Sequence, residues 1–258
     1  MSTFQLTIRD RLALITLDRG RSNSINLEMI KELTECIKTL ESDDNVGAVI
    51  LTGKEGFFSS GIDLIEAYDY NEEQSREFWV DFLGLQNILA SFKKPMVAAI
   101  SGHSPAGGCV LAICCDYRIM VEGKFIIGLN EIPVGIIVPD AIFHLYSFWL
   151  GQHKAYQYLM EGKLLNVNEA LESGLIDEIS TPDQLMNKAV EKAMTYLKMP
   201  SVTWSQSKLN LRKELIGKLS IDQTDTLNQM LQQWWAPATR QGLQMMIQNL
   251  KSKSTPAN

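Results

Sequence analysis

The mostly apolar, β-rich runs "FQLTI" and "LALITL" lie on either side of the charged pair Arg9 and Asp10, which predicts two short strands joined as a hairpin. In "INLEMIKELTECIKTLES" the apolar residues Ile30, Leu33, Ile37 and Leu40 recur at helical spacing, and Asn26 stands where an N-cap belongs. "VGAVILTG" is an unbroken apolar run closed by Gly53, the pattern of a buried strand. A second helix follows, with Phe78, Phe82, Leu85, Ile88 and Phe92 on one face. Next come the strand "PMVAAI", a glycine-rich loop, a helix over about 107–115, and the strand "DYRIMV". Strand and helix in alternation argue for βαβ units, a parallel sheet with helices packed outside it.

Beyond about residue 139 the strand signals stop. "DAIFHLYSFWLGQHKAYQYLMEG", "VNEALESG", "PDQLMNKAVEKAMTYLKM" and the stretch from 202 to 252 read as helices broken by Gly or Pro. Without a repeat or a long polar linker, this predicts one α/β core followed by an all-helical region. The last helices carry Trp234, Trp235, Met245, Met246 and Ile247, more apolar surface than a small terminal bundle hides alone. Burial against a partner subunit is expected, with packing on the chain's own core as the alternative.

Composition narrows the classes. The 258 residues are 45 % apolar and 21 % charged, which excludes a disordered chain, and that length can bury a large core. The net charge of −6, with Lys and Arg scattered, supplies no basic field for a phosphate backbone and argues against a nucleic-acid partner. Cys36, Cys109, Cys114 and Cys115 match no metal spacing, and the neighbours Cys114 and Cys115 would point to different faces of a helix. No metal site is expected, and a reducing compartment fits. With no signal-peptide pattern in "MSTFQLTIRD" and no apolar run of membrane-spanning length, the expected location is the cytoplasm, with no membrane partner.

Ligands in open α/β sheets sit outside the carboxyl ends of the strands, and three loops qualify: "GKEGFFSSGIDL" (53–64), the glycine loop "SGHSPAGG" (101–108) and "GLNEIPVG" (128–135). In the second loop a helix beginning at Gly107 presents an amide with no intrahelical partner. In the first, "SSG" offers another, with Gly61 free to take a conformation that a side chain forbids. Two such amides aimed at one point form an oxyanion hole, although each loop alone is also an ordinary strand-to-helix turn. Glu131 stands among apolar neighbours, either exposed at a turn or buried and shifted toward neutrality, where a carboxyl can pass a proton. His103 has no acid near it in sequence and reads as packing. Asp63 and Asp140 read as helix caps. Phe78, Trp79 and Phe82 are candidates for an apolar ligand pocket, although an aromatic stripe at helical spacing is more often core.

The combination "FFSSGIDL", "KKPMVAAISGHSPAGGCVLAICCDYRI" and "GLNEIPVGI", in this order and spacing, resembles the crotonase superfamily of enoyl-CoA hydratases and isomerases over essentially the whole chain. The resemblance implies an α/β fold with a β/α spiral core over 1–198. A helical oligomerisation region would occupy 199–258, in a homotrimer or a dimer of trimers. It also implies an acyl-CoA substrate whose thioester oxygen is held by the backbone amides of Ser60 and Gly107. CoA would be bordered by Ser22, Asn23 and Ser24 and by Ser59, Gly61, Ile62 and Asp63. Val110 and Val134 would join Phe78 and Phe82 in an acyl pocket. Coenzyme A belongs to the substrate, so no separate cofactor is implied.

One departure bears on the reaction. Hydratases of this family carry a glutamate directly after "GGC"; here that position is Val110, and the remaining acid is Glu131. Adding water needs groups to activate the water and to protonate carbon, whereas moving a proton between two carbons of one substrate needs a single base. "PAGGC" and "GLNE" look most like the 3,2-trans-enoyl-CoA isomerases. The expectation is therefore a 3-enoyl-CoA to trans-2-enoyl-CoA isomerase of fatty-acid β-oxidation with Glu131 as proton shuttle. Hydration, decarboxylation and a non-catalytic acyl-CoA scaffold stand as alternatives.

Overall fold

The computed structural model describes residues 2–254. Strand β1 (Phe4–Arg9) pairs antiparallel with β2 (Leu12–Leu17), the hairpin that the two β-rich runs predict. Asp10 and Arg11 make the turn with φ of +48° and +66°, the left-handed conformation that matches strand twist in a two-residue hairpin. Helix α1 (Leu27–Ser42) begins where the Met29 amide donates to Asn26 Oδ1 at 3.0 Å, and it buries Ile30, Leu33, Ile37 and Leu40.

From there the chain winds as a spiral that places one strand in each of two sheets per turn. The first turn is β3 (Ala48–Thr52), β4 (Gly56–Phe57), α2 (Leu64–Asp69) and α3 (Glu72–Ser91). The second is β5 (Met96–Ile100), β6 (Gly102–Pro105) and α4 (Gly107–Cys114). The third is β7 (Tyr117–Val121), β8 (Ile126–Gly128), a 3-10 turn (Ile132–Val134), α5 (Asp140–Leu150) and α6 (Gln152–Glu161). The chain continues through β9 (Leu164–Asn166), α7 (Val167–Ser173), β10 (Glu178–Ser180) and α8 (Leu185–Leu197). The larger sheet runs β1-β2-β3-β5-β7-β10 and the smaller β4-β6-β8-β9. Strands therefore do not stop at 139: β9 pairs with β8 and β10 with β7. Three-residue strands such as "LLN" and "EIS" are too short to show alternation.

The central strands are buried on both faces, which is why "VGAVILTG" shows no polar alternation. Val49, Leu51, Ala98 and Ile100 face the large core shared with α1, α3 and α4, while Ala48, Ile50, Val97 and Ala99 face a smaller one closed by Leu185, Ala189 and Ala193 of α8.

Helices α9 (Ser201–Leu211), α10 (Lys213–Leu219), α11 (Thr224–Trp234) and α12 (Pro237–Ser254) complete the chain. They lean back on the core: α10 touches α3 and α5, α11 touches α3, and α12 touches α2. Their anchor is a buried ion cluster in which Lys208 and Arg212 reach Asp116 at 2.8 and 3.0 Å. Arg212 also donates to the carbonyls of Ala90, Cys114 and Cys115, the C-terminal ends of α3 and α4, where positive charge is favoured. Trp234 and Ile247 are buried within the chain itself, Trp235 and Met246 are half-buried, and Met245 is exposed. Asp140 is not a cap: it is the first residue of α5, Pro139 holds the cap position, and no side chain bonds there among the described residues. No described helix is long and apolar enough to cross a membrane.

Candidate active site

All three candidate loops leave the same kind of strand, the smaller-sheet strand of each spiral turn. The spiral thus delivers 58–63 after β4, 105–107 after β6 and 129–131 after β8 to one end of that sheet.

The first loop is bound to the segment 22–26. Ser59 Oγ donates to the Asn23 carbonyl at 2.7 Å, Asn23 Nδ2 donates to the Phe58 carbonyl at 3.1 Å, and Asn23 itself holds φ of +50°. The Ile25 amide donates to Gly61 O and the Asp63 amide to Ile25 O, a parallel bridge. Ile25 thus bonds the residues either side of Ile62, so the Ile62 amide points the other way, toward the second loop. A methyl group built on Gly107 would lie 3.5 Å from the Ile62 nitrogen. Asp63 caps α2 through the amides of Ile65 and Glu66, as the sequence suggested, and it accepts from Arg19 at 2.7 Å and from Ser24 at 3.0 Å. Burial would raise its carboxyl, but the bonds from Arg19 and Glu66 N reverse that and hold it below the usual range.

The structure corrects one expectation here. The Ser60 amide donates to the Ser22 carbonyl at 2.9 Å and is not free for a ligand. Two residues on, the Ile62 amide has no acceptor among the described residues. Pairing with 22–26 commits the amides of Ser60 and Asp63, and the Gly61 amide donates to Ser59 Oγ at 3.2 Å.

In the second loop the Ala106 amide donates to Gly128 O at 2.7 Å, tying it to the third. Ala106 is held at φ +48°, ψ −123°, a strained conformation for a residue with a side chain. Gly107 opens α4 with no acceptor for its amide among the described residues. Gly108 explains the close approach: a Cβ there would sit 2.4 Å from the Ser59 carbonyl oxygen. Behind them every residue of α4, Val110 included, is fully buried.

The third loop carries Glu131, which immediately precedes the 3-10 turn. The side chain is 6 % exposed, its Oε2 has no hydrogen-bond partner among the described residues, and burial pushes the carboxyl up to about 7. Of the two readings open for Glu131, the structure gives the buried one. The next residue, Ile132, lines a mostly apolar cavity of about 500 Å³ with Ile136, Phe143, Leu159 and Met160, which Asp140 and Gln233 also line and Glu131 does not.

In the core Phe78 and Phe82 stack with rings 6.1 Å apart and Trp79 meets both edge-on, and neither they nor Val110 line that cavity. Val134 is half-buried in the 3-10 turn. His103 packs between Phe57 and Phe125, its Nδ1 accepts from the Ile126 amide, and burial lowers its basicity, all consistent with packing. A second cavity of about 500 Å³, lined by Phe148, Trp149, Tyr196 and Trp204, includes none of the three loops, and its Asp116, Lys208 and Arg212 already satisfy one another. Arg19 and Glu66, which lock the first loop to 22–26 by an ion pair of 2.6 Å, have no periodic or motif signal in "LDRGRSN" or "LIEAY".

The chain matches the family described as enoyl-CoA hydratase/isomerase over residues 7–255. It is 34 % identical to enoyl-CoA delta isomerase 1, mitochondrial, of Mus musculus over 244 residues, which covers 94 % of this chain and 84 % of that one. It is 32 % identical to a probable enoyl-CoA hydratase of Rhizobium meliloti, covering 83 % of each. Among solved structures, human mitochondrial delta3-delta2-enoyl-CoA isomerase superposes with a TM-score of 0.93 at 28 % identity, covering 98 % of this chain and all of that one.

Proposed function

Because the chain belongs to the enoyl-CoA hydratase/isomerase family, we propose that it is an enoyl-CoA delta isomerase, converting a 3-enoyl-CoA to the trans-2-enoyl-CoA within fatty-acid β-oxidation. Its relatives bear names from both halves of the family, so the choice rests on the site. The observation that carries it is the buried acid Glu131, shifted toward neutrality, with Val110 at the position where hydratases of the family keep a second acid.

In the proposed reaction the Glu131 carboxylate takes a proton from C2, and the electron pair spreads into a dienolate whose charge gathers on the thioester oxygen. The Gly107 and Ile62 amides receive that charge; their proximity and the absence of other acceptors support this pairing. The proton then passes from Glu131 to C4, the carbonyl re-forms, and no atom is gained or lost. No cofactor or metal enters the proposed reaction. The mostly apolar cavity lined by Ile132, the residue after Glu131, is the proposed seat of the acyl chain. Segments 22–24 and 59–63 form the proposed CoA border, in which Asn23, Ser59 and Asp63 direct their polar groups inward and so shape the border more than they touch the ligand.

We assign the C-terminal helices from 199 onward to self-association as a homotrimer or a dimer of trimers. Exposed apolar side chains support it, with Val202 at 73 % and Leu211 at 80 %; light scattering on the purified protein measures it. Free thiols at all four cysteines support a reducing location such as the cytoplasm. The test of function is conversion of 3-enoyl-CoA esters of several chain lengths, followed by product mass. Isomerisation leaves the mass unchanged, hydration adds water and decarboxylation removes carbon dioxide. Loss of turnover in Glu131→Gln is the expected result; an active Glu131→Gln overturns the assignment.

A further inference from the structure

The Ile62 amide is a backbone group, so its aim depends on what holds the peptide plane behind it. In a trans peptide the C=O and the N–H point in opposite directions from one rigid plane. The plane joining Gly61 to Ile62 is held at its carbonyl end, where Gly61 O accepts from the Ile25 amide at 2.8 Å, and its N–H therefore faces away from Ile25. One step further back the pattern repeats. The plane joining Ser24 to Ile25 is held at its own carbonyl end, where Ser24 O accepts from Arg19 Nη1 at 2.9 Å. Two peptide planes in series thus connect the Arg19 guanidinium to the Ile62 N–H.

The guanidinium grips both sides of this bridge. Nη1 also donates to Ser24 Oγ at 2.8 Å and to Asp63 Oδ2 at 2.7 Å, and Nη2 donates to Glu66 Oε2 at 2.6 Å. Ser24 precedes Ile25 and Asp63 follows Ile62, so one side chain sets the spacing of the two paired segments. Glu66 is fixed in turn by Asn26 Nδ2 at 3.1 Å and by the Tyr70 hydroxyl at 2.7 Å. Two carboxylates facing one guanidinium leave no surplus positive charge, so the cluster is not built to receive a phosphate. An outside hold is needed because Gly61 sits at φ +85°, where a glycine turns freely and cannot fix the plane that follows it.

We propose that Arg19 is a positioning residue for the reaction: through the Ser24 and Gly61 carbonyls, and through Asp63, it aims the Ile62 amide at the thioester oxygen. The inference rests on the reading of that amide as a donor to the developing charge. Such a donor works only within a few tenths of an ångström of hydrogen-bond distance from the oxyanion, and a small turn of the Gly61 plane takes it out of range. Arg19 itself touches no substrate atom in this scheme.

The test compares Arg19→Met, which keeps the aliphatic stem and removes every donor, with Arg19→Lys, which keeps one cationic donor. The readout is the infrared band of the thioester carbonyl, marked with carbon-13, in trans-2-enoyl-CoA bound at saturation. Hydrogen bonds to that oxygen weaken the C=O bond and displace the band to lower frequency. The expected displacement is largest in the parent, smaller in Arg19→Lys and smallest in Arg19→Met. The expected kcat follows the same order, about 10- to 100-fold down in Arg19→Met with KM little changed. If Arg19→Met does not fold, the parent and Arg19→Lys decide alone. A variant that folds with the parent's displacement and kcat overturns the inference, even where its thermal midpoint falls, because that marks a purely structural ion pair. A raised KM with a parent-like kcat and band overturns it as well and marks contact with CoA. A parent that shows no displacement overturns this inference together with the proposed amide pairing. The expected order of displacements beside an active Glu131→Gln supports this inference and overturns the proposed base alone.

Discussion

Two acids of this molecule are withdrawn from water, and they differ in their company. Asp116, at the root of the C-terminal helices, has Lys208 and Arg212 on its oxygens and the Met96 amide donating at 2.8 Å. Glu131 has one oxygen with no partner at all among the described residues. A buried charge that is fully paired fastens elements together, because losing either partner strands the other. A buried carboxyl left unpaired holds its proton to near neutral pH, and that is the property a proton carrier needs.

The comparison can be broken most directly at Glu131. Glu131→Gln should lower turnover by at least about 1000-fold, measured as 3-enoyl-CoA isomerisation, while the protein still folds. The same substitution should alter stability in a pH-dependent way. Because the folded carboxyl is raised to about 7, the folded state binds a proton that the unfolded chain releases above its ordinary value near 4.5. The parent's advantage is full below that ordinary value and is lost as pH rises toward 7, so Glu131→Gln should be the more stable protein at pH 8, by on the order of 3 kcal/mol, and not at pH 4. Thermal melts at the two pH values decide it. In the parent, kcat/KM should fall as pH drops below about 7, since the base is then protonated.

At the paired acid the expectation is reversed. Asp116→Asn should cost about 3 to 5 kcal/mol of stability, read by denaturant melts, with turnover per folded molecule retained. Gly108→Ala tests the amide geometry: a Cβ 2.4 Å from the Ser59 carbonyl oxygen must push the two loops apart, and kcat should drop on the order of 10- to 100-fold. Ser60→Ala, the smallest change, should leave kcat within about twofold and stability within about 0.5 kcal/mol, because it removes only the bond from Ser60 Oγ to Ser22 Oγ at 3.1 Å and leaves the backbone amide in place.

Much of this was legible in the chain. Periodicity located α1, α3 and the buried strands, and the three loops stood out because Gly and Pro interrupt strong apolar runs. Glu131 stood out because an acid sat among apolar neighbours. Strands β4, β6, β9 and β10 escaped because two to four residues, often glycine or proline, carry no alternation. The Ser60 and Ile62 amides could not be told apart, since the difference depends on pairing with Ile25, some 35 residues earlier.

The adjacency of β4, β6 and β8 works as a ruler. Neighbouring strands are about 4.8 Å apart, so the loops that leave them are stepped at one and two strand spacings, a separation fixed by backbone hydrogen bonds and not by loop conformation. Side chains along the loops can be exchanged without altering that scale. A substrate whose charged oxygen and reacting carbons match it is accepted at any tail length the neighbouring cavity will hold, and one that does not match gains nothing from a better-fitting tail.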